Sequence, residues 1–124
     1  MKIAAIVVRS LMGLLFLFAS VTWFLKLAPQ PALTGALKAF TDGMQASVYL
    51  VPTAKTVELL CGLAFLSGRW VPLATILIAP ILVNILGIHL FLAPEGRLLA
   101  VALVLANGFL AYHHREAYRA LLKP

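Results

Sequence analysis

Two polar side chains, Glu58 and Asn84, lie well inside long apolar segments of the sequence. A carboxylate in such a segment is costly to bury, and a carboxylate within a membrane span usually takes part in function. Glu58 also has a structural interpretation, because Lys55 lies three residues before it. Side chains at this spacing share a face of a helix, so the two charges can pair. Both interpretations stay open from the sequence.

The composition indicates that lipid is the main solvent of the chain. Hydrophobic residues make up 63% of it and charged residues 11%, against roughly 45–50% and 25% in soluble domains. A span needs about 20 apolar residues, so a chain of 124 residues has room for four spans, and we expect no soluble catalytic domain. We predict an all-α integral membrane four-helix bundle, one domain over residues 1–124, with spans over about 6–27, 48–67, 70–92 and 98–112.

A short amphipathic helix is predicted between the first two spans, over about residues 32–44. Its apolar residues recur at helical spacing, and polar residues occupy the other face. The apolar positions are Leu33, Leu37, Phe40 and Met44. The segment is too short to cross a bilayer. It lies either on the lipid surface or as a lid over a cavity in the bundle.

The net charge of +6 bears on membrane topology and is not evidence for nucleic-acid binding, because basic residues gather at the cytoplasmic ends of spans. The end that carries both predicted termini has six basic residues and the other end has four. The six are Lys2, Arg9, Arg69, Arg115, Arg119 and Lys123, and the four are Lys26, Lys38, Lys55 and Arg97. This bias predicts that both termini face the cytoplasm.

Each predicted span brings one polar side chain to a similar depth. At a rise of about 1.5 Å per residue, these side chains lie about 10–15 Å from the outer ends of their spans. They are Ser20, Glu58, Asn84 and Asn107. We therefore predict a polar cluster in the outer half of the bundle, in which the two asparagines serve either helix packing or ligand contact. His89 lies about 7 Å nearer the outside than Asn84, where it lines the mouth of the site or hydrogen-bonds at the interface.

The sequence predicts neither a catalytic residue nor a metal site. The single cysteine, Cys61, is expected to behave as a small buried hydrophobe. Glu58 and His89 alone are too few ligands for zinc. No phosphate-binding loop, nucleophile elbow or dinucleotide fingerprint is present.

The order and spacing of several short motifs resemble the DoxX family of small four-span bacterial membrane proteins. The motifs are Arg9, Gly13 and Phe16 in the first span; Glu58-Leu59 and Gly62 in the second; Gly68-Arg69 and Pro72 at the corner; APILVNILGIHLFLAP at residues 79–94; and Asn107, Tyr112, Arg115 and Tyr118 at the end. The resemblance covers nearly the whole chain.

This resemblance implies a multi-pass protein of the bacterial inner membrane. The family takes its name from a thiosulfate:quinone oxidoreductase in which such a protein is the membrane subunit, and other members are linked to oxidative or thiol stress. The single cysteine and the lack of a cofactor motif argue against oxidoreductase activity of the chain alone, and in the redox hypothesis a partner protein carries the redox centre. Because one bundle hosts several functions in this family, the fold does not decide among them.

Two classes of function follow from these observations. In the first, the chain is a redox-associated membrane subunit that binds a quinone or similar small apolar molecule, with Glu58 as a proton acceptor because burial disfavours its charged form. In the second, it is a non-enzymatic module for a lipid-like ligand, or a structural scaffold. The expected ligand-binding residues are Glu58, Asn84, Asn107, Lys55, His89 and Ser20. Membrane lipid surrounds the chain, and small-residue pairs such as Ala64 with Gly68 allow close helix contact, either within one bundle or between two copies in a homo-oligomer.

Overall fold

The protein is an all-α bundle, as the sequence predicts. The computed structural model describes residues 2–27 and 32–124 and has no strand in them. The helices are α1 (Lys2–Phe24), α2 (Gly35–Ala46), α3 (Leu50–Ser67), α4 (Val71–Phe91), α5 (Arg97–His113) and the one-turn α6 (Arg119–Leu122), with 3-10 turns at Pro94–Gly96 and Arg115–Tyr118.

Within the described residues, four helices are long and apolar enough to cross a membrane: α1, α3, α4, and α5 together with the turn before it. The protein is therefore a multi-pass membrane protein by the length and composition of its helices. The first span ends at Phe24, three residues before the predicted limit, because the chain turns at Lys26 with a φ of 55°. The predicted amphipathic helix also lies later than expected, since it begins at Gly35.

The tightest helix contact joins α1 to α3. A Cβ atom on Gly13 would lie 2.8 Å from Leu66 Cγ and 2.9 Å from Gly62 O, and one on Gly62 would lie 3.0 Å from Leu17 N. Small residues allow backbones to approach closely, and at Gly13 and Gly62 there is no room for a side chain without a shift of the neighbouring helix. Phe16 stacks on Phe65 beside this contact, with ring centroids 6.5 Å apart. The face of α1 that carries Gly13 and Phe16 is thus a packing surface.

Arg9 closes the end of α3 that lies beside the N-terminal half of α1. Its Nη1 donates to Phe65 O at 2.6 Å and to Leu66 O at 3.2 Å. Carbonyls at a helix C-terminus lack partners within the helix and carry partial negative charge, so a guanidinium satisfies both needs. Gly68 follows with a left-handed φ of 77°, and its open Cα leaves room for the guanidinium, since a Cβ there would lie 3.0 Å from Arg9 Nη2.

Both termini of the four-span bundle lie at one end, which we call the terminal end. Tyr118, after α5, donates a hydrogen bond to Pro72 O at the start of α4, and Arg9 binds the end of α3. The opposite end is called the α2 end. There α2 packs against α3, and Leu37, Phe40 and Met44 are half-buried while Lys38 and Asp42 are exposed and form a 2.6 Å ion pair. The amphipathic character predicted for this segment is confirmed.

Candidate functional site

A cavity of about 470 Å³ lies between α3 and α4 near the α2 end of the bundle, and α2 forms part of its wall. We call it the Glu58 cavity; its walls include Phe40, Met44, Lys55, Glu58, Ile81 and Asn84. Apart from Lys55, Glu58 and Asn84, its lining side chains are apolar. Small-molecule sites have this character, with apolar walls and a few convergent polar groups.

Glu58 is held in the wall of this cavity by its position on α3 and is 5% exposed. Its Oε2 lies 3.1 Å from Lys55 Nζ, but that oxygen accepts no hydrogen bond within the described residues. These two observations are compatible. A short distance between the charged atoms gives electrostatic attraction, but a hydrogen bond also requires a favourable angle. Glu58 therefore has a counter-charge and a free acceptor.

Asn84 faces the same cavity from α4. Its side chain is exposed, so it is not committed to helix packing. Pro80, one turn earlier, also lines the cavity, and as a proline it leaves the carbonyl of Ile76 without its usual helical donor. The structure thus brings Lys55, Glu58 and Asn84 together in the wall of one cavity.

Ser20 is fully buried on α1 but does not line the Glu58 cavity. Its hydroxyl donates within its own helix, to Phe16 O at 2.8 Å and Leu17 O at 3.2 Å. Serines in apolar helices often bond in this way to the preceding turn. In this conformation its donor is already used, which differs from the predicted ligand contact.

Asn107 does not lie at the predicted depth beside Glu58 and Asn84. It is buried on α5, and its Nδ2 donates to Thr75 O at 3.1 Å. Thr75 lies nine residues before Asn84 on α4, which places it about 13 Å nearer the terminal end. The prediction measured depth from Leu92 on the third span and from Leu98 on the fourth, as if these two residues lay at the same level. In the structure, the turn instead places Gly96 against the His89 ring. Therefore α5 pairs with a part of α4 that lies nearer the terminal end, and Asn107 joins helices outside the cavity.

His89 secures the turn between α4 and α5. Its Nδ1 donates to Ala93 O at 3.0 Å, and its ring fills the space that a side chain at Gly96 would need. His89 therefore forms a hydrogen bond within the turn, and its predicted position at the membrane interface stays a prediction. Its ring is not part of the cavity wall.

A hydroxyl cluster at the terminal end was not predicted from the sequence. Thr75 Oγ1 donates to Pro72 O at 2.7 Å and contacts the Tyr118 hydroxyl, which also donates to Pro72 O at 3.3 Å. The buried Cys61 donates weakly to Ala74 O at 3.7 Å. The sequence feature that could have predicted this cluster is Thr75, a hydroxyl side chain one turn after Pro72 in an apolar segment. These contacts attach the C-terminal tail to the start of α4.

The cavity suits proton and apolar-ligand chemistry. A buried carboxylate and an amide offer an acceptor and a donor to one polar end of a molecule, while the isoleucines contact its apolar part. Among the described residues there is no group of three histidine, cysteine or acidic side chains placed to hold a metal ion.

No family model, curated protein or solved structure matches this chain. These comparisons give no support to the resemblance to the DoxX family, which rests on the sequence motifs alone.

Proposed function

We propose that the chain is a DoxX-like protein of the bacterial inner membrane and that it binds a quinone or similar small apolar molecule in the Glu58 cavity. The observation that carries the proposal is the buried carboxylate of Glu58, whose Oε2 accepts no hydrogen bond in the described residues and which opens on an apolar cavity. Buried acceptors without partners are rare in proteins and call for an explanation. A hydroxyl of the reduced ligand, such as that of a quinol, that donates to the Glu58 carboxylate supplies one.

The proposed role of the chain is to hold the ligand and handle protons. Reduction of a quinone consumes protons together with electrons, and in this proposal the electrons come from the redox centre of a partner protein. In this proposal Glu58 passes protons, taken up from water, to the ligand oxygens as the partner supplies two electrons, Lys55 stabilises the carboxylate between the two transfers, and Asn84 donates a hydrogen bond to the ligand. The resemblance to a family that is named after an oxidoreductase with such a membrane subunit supports this division of labour.

The second candidate function is a module that binds a lipid-like ligand without redox chemistry. It is favoured by one observation, that Phe40 and Met44 of the interfacial helix line the cavity. A ligand that enters sideways from the lipid would pass this helix, which then acts as a lid. The same cavity serves both candidates, and they differ in whether Glu58 must exchange a proton.

The test is the Glu58→Gln variant, which keeps the size of the side chain but cannot take up a proton at a carboxylate. The gene is deleted, complemented with each variant, and the ratio of quinol to quinone in the membranes is measured. We expect Glu58→Gln to accumulate normally and to fail to restore the wild-type ratio. Glu95→Gln is the matched control, because Glu95 is an exposed carboxylate in the turn before α5.

Wild-type restoration by a stably accumulated Glu58→Gln protein would rule out the proton-accepting role. If deletion leaves the ratio unchanged and the purified protein contains lipid, the lipid-like function replaces the redox one. If the purified protein contains neither, Glu58 is a structural residue of a membrane scaffold.

A further inference from the structure

A second cavity lies near the α2 end, and Lys55 lines both it and the Glu58 cavity. It has a volume of about 530 Å³ and is bounded by the end of α1, the turn after it, α2 and α3. Its walls include Trp23, Lys26, Gln45 and Lys55. We call it the Lys26–Lys55 cavity, after the two cations that face it.

The charges around the Lys26–Lys55 cavity are unbalanced. Both of its charged lining residues are cations. Lys26 forms no ion pair within the described residues, and residues 28–31, which follow shortly after it, contain no carboxylate. The one carboxylate near Lys55 is that of Glu58, which faces the other cavity. Positive charge is therefore concentrated here without a protein anion on the same side.

The hydrogen-bond donors of the two lysines are also unused. In residues 2–27 and 32–124, the one lysine ammonium that hydrogen-bonds to a protein atom is that of Lys38, to Asp42. An ammonium has three donors, so Lys26 and Lys55 can both donate into the cavity. The indole of Trp23 and the amide of Gln45 add neutral donors on its walls.

Donors of this kind suit an oxyanion near the membrane surface. Lys26 follows the end of α1, and Lys55 is five residues into α3 from Leu50, or about 8 Å along the helix. Because α3 crosses an apolar core about 30 Å thick, the Cα of Lys55 lies below the headgroups, and its long side chain extends toward the level of the phosphates, where Lys26 lies. Lysine binds phosphate as a point charge. We propose that the Lys26–Lys55 cavity binds a phosphate group, either as free phosphate or as part of an anionic lipid headgroup.

Because Lys55 lies between the two cavities, the bound phosphate competes with Glu58 for one ammonium. Lys55 is 3.1 Å from Glu58 without a hydrogen bond, so rotation toward the phosphate gains charge-assisted hydrogen bonds. Removal of the Glu58 charge should therefore strengthen phosphate binding. The site does not rest on the proposed quinone function, since Glu58 enters only as the competing partner of Lys55.

The experiment uses Trp23, which lines the cavity, as its fluorescent reporter. The purified full chain carries Trp70→Phe, so that Trp23 alone emits, and is held in a neutral maltoside detergent. Inorganic phosphate is titrated against chloride at equal ionic strength, and phosphatidylglycerol is titrated against phosphatidylcholine. The variants are Lys26→Gln, Glu58→Gln and the double variant Lys55→Gln/Glu58→Gln, which avoids an unpaired Glu58. Lys38→Gln is the matched control, an exposed lysine at the same end of the bundle.

We expect saturable binding that weakens about tenfold or more in Lys26→Gln and in the double variant, as for loss of a charge-assisted hydrogen bond. Glu58→Gln should bind more tightly than the starting protein, and Lys38→Gln should bind equally. Saturation by inorganic phosphate identifies a soluble oxyanion, and saturation by phosphatidylglycerol alone identifies a headgroup. No saturable response to either probe, or an equal loss in Lys38→Gln and Lys26→Gln, would overturn the proposal.

Discussion

The Lys55 ammonium and the Glu58 carboxylate form an ion pair of 3.1 Å on one face of α3, and Oε2 of Glu58 is buried without accepting a hydrogen bond. The two groups thus neutralise each other while each keeps hydrogen-bonding capacity for something else. A pair that served stability alone would gain from a directed hydrogen bond as well. This ion pair underlies both proposals. The ligand proposed for the Glu58 cavity would bind Glu58, and the phosphate proposed for the Lys26–Lys55 cavity would bind Lys55.

The first prediction concerns the stability of this pair. Lys55→Leu should lower the free energy of unfolding by about 3–5 kcal/mol, because it leaves the buried Glu58 charge uncompensated. Glu58→Leu should lower it less, because the Lys55 side chain that it leaves unpaired is 24% exposed. The double variant should return close to the wild-type value, since apolar residues can replace a buried pair at little cost. Unfolding by dodecyl sulfate in mixed micelles measures all three. A double variant as unstable as Glu58→Leu would show that Glu58 has stabilising contacts other than Lys55.

The packing of α1 on α3 gives the second prediction. Gly13→Ala should destabilise the protein by about 1–3 kcal/mol, because the added methyl group overlaps backbone atoms of α3. Gly108→Ala is the control, since a Cβ at Gly108 meets no atom within 4 Å, and alanine is the better helix former by up to about 1 kcal/mol. The same micelle unfolding assay checks both. Equal tolerance of the two substitutions would contradict the close approach of α1 and α3.

Much of this architecture follows from the sequence, because apolar length alone fixes the spans. The proximity of Glu58 and Asn84 could also be predicted from the sequence. Their positions were counted from the predicted outer ends of two helices, and these ends lie within two residues of the observed ones. Asn107 was misplaced because the count took Leu92 and Leu98 as opposite one another, whereas the turn seats Gly96 on His89. The contact between Tyr118 and Thr75 joins residues 43 apart in sequence, and no local pattern specifies which tail residue returns to α4.

The third prediction concerns His114, which caps the end of α5 outside the spans. Burial, and then the neighbouring His113 and Arg9, hold the pKa of His114 below its ordinary value of 6.5. The unfolded chain therefore binds a proton more readily than the folded one, so this contribution to stability is present above pH 6.5 and is lost as the pH falls from there toward the folded pKa. We expect His114→Gln to reduce the loss of stability over that range. An unchanged pH profile would mean that His114 titrates as it does in the unfolded chain.

Membrane orientation is the fourth prediction. The basic residues at the terminal end predict that this end is cytoplasmic and that α2 lies outside. Cysteine introduced at the exposed Lys38, in a Cys61→Ala background, should react with an impermeant thiol reagent on intact cells. Cysteine at Lys123, which is exposed in the C-terminal tail, should react only after permeabilisation. The opposite pattern of labelling would reverse the orientation.

The Glu58 cavity can also be closed by substitution, which provides the last prediction. Ala54 lines this cavity, and Ala102 lines a separate groove between α1 and α5. Phenylalanine at position 54 fills space that a ligand would need, whereas phenylalanine at position 102 adds the same bulk elsewhere. The comparison separates loss of the cavity from a general effect of an added aromatic ring.

Mass spectrometry of gently extracted protein tests the central claim most directly. The account predicts a quinone or similar small apolar molecule at close to one per chain in the wild type and in Ala102→Phe, and its loss from Ala54→Phe at equal protein yield. Extracts without such a molecule in any of the three proteins, or equal amounts of it in Ala54→Phe and the wild type, would contradict the account.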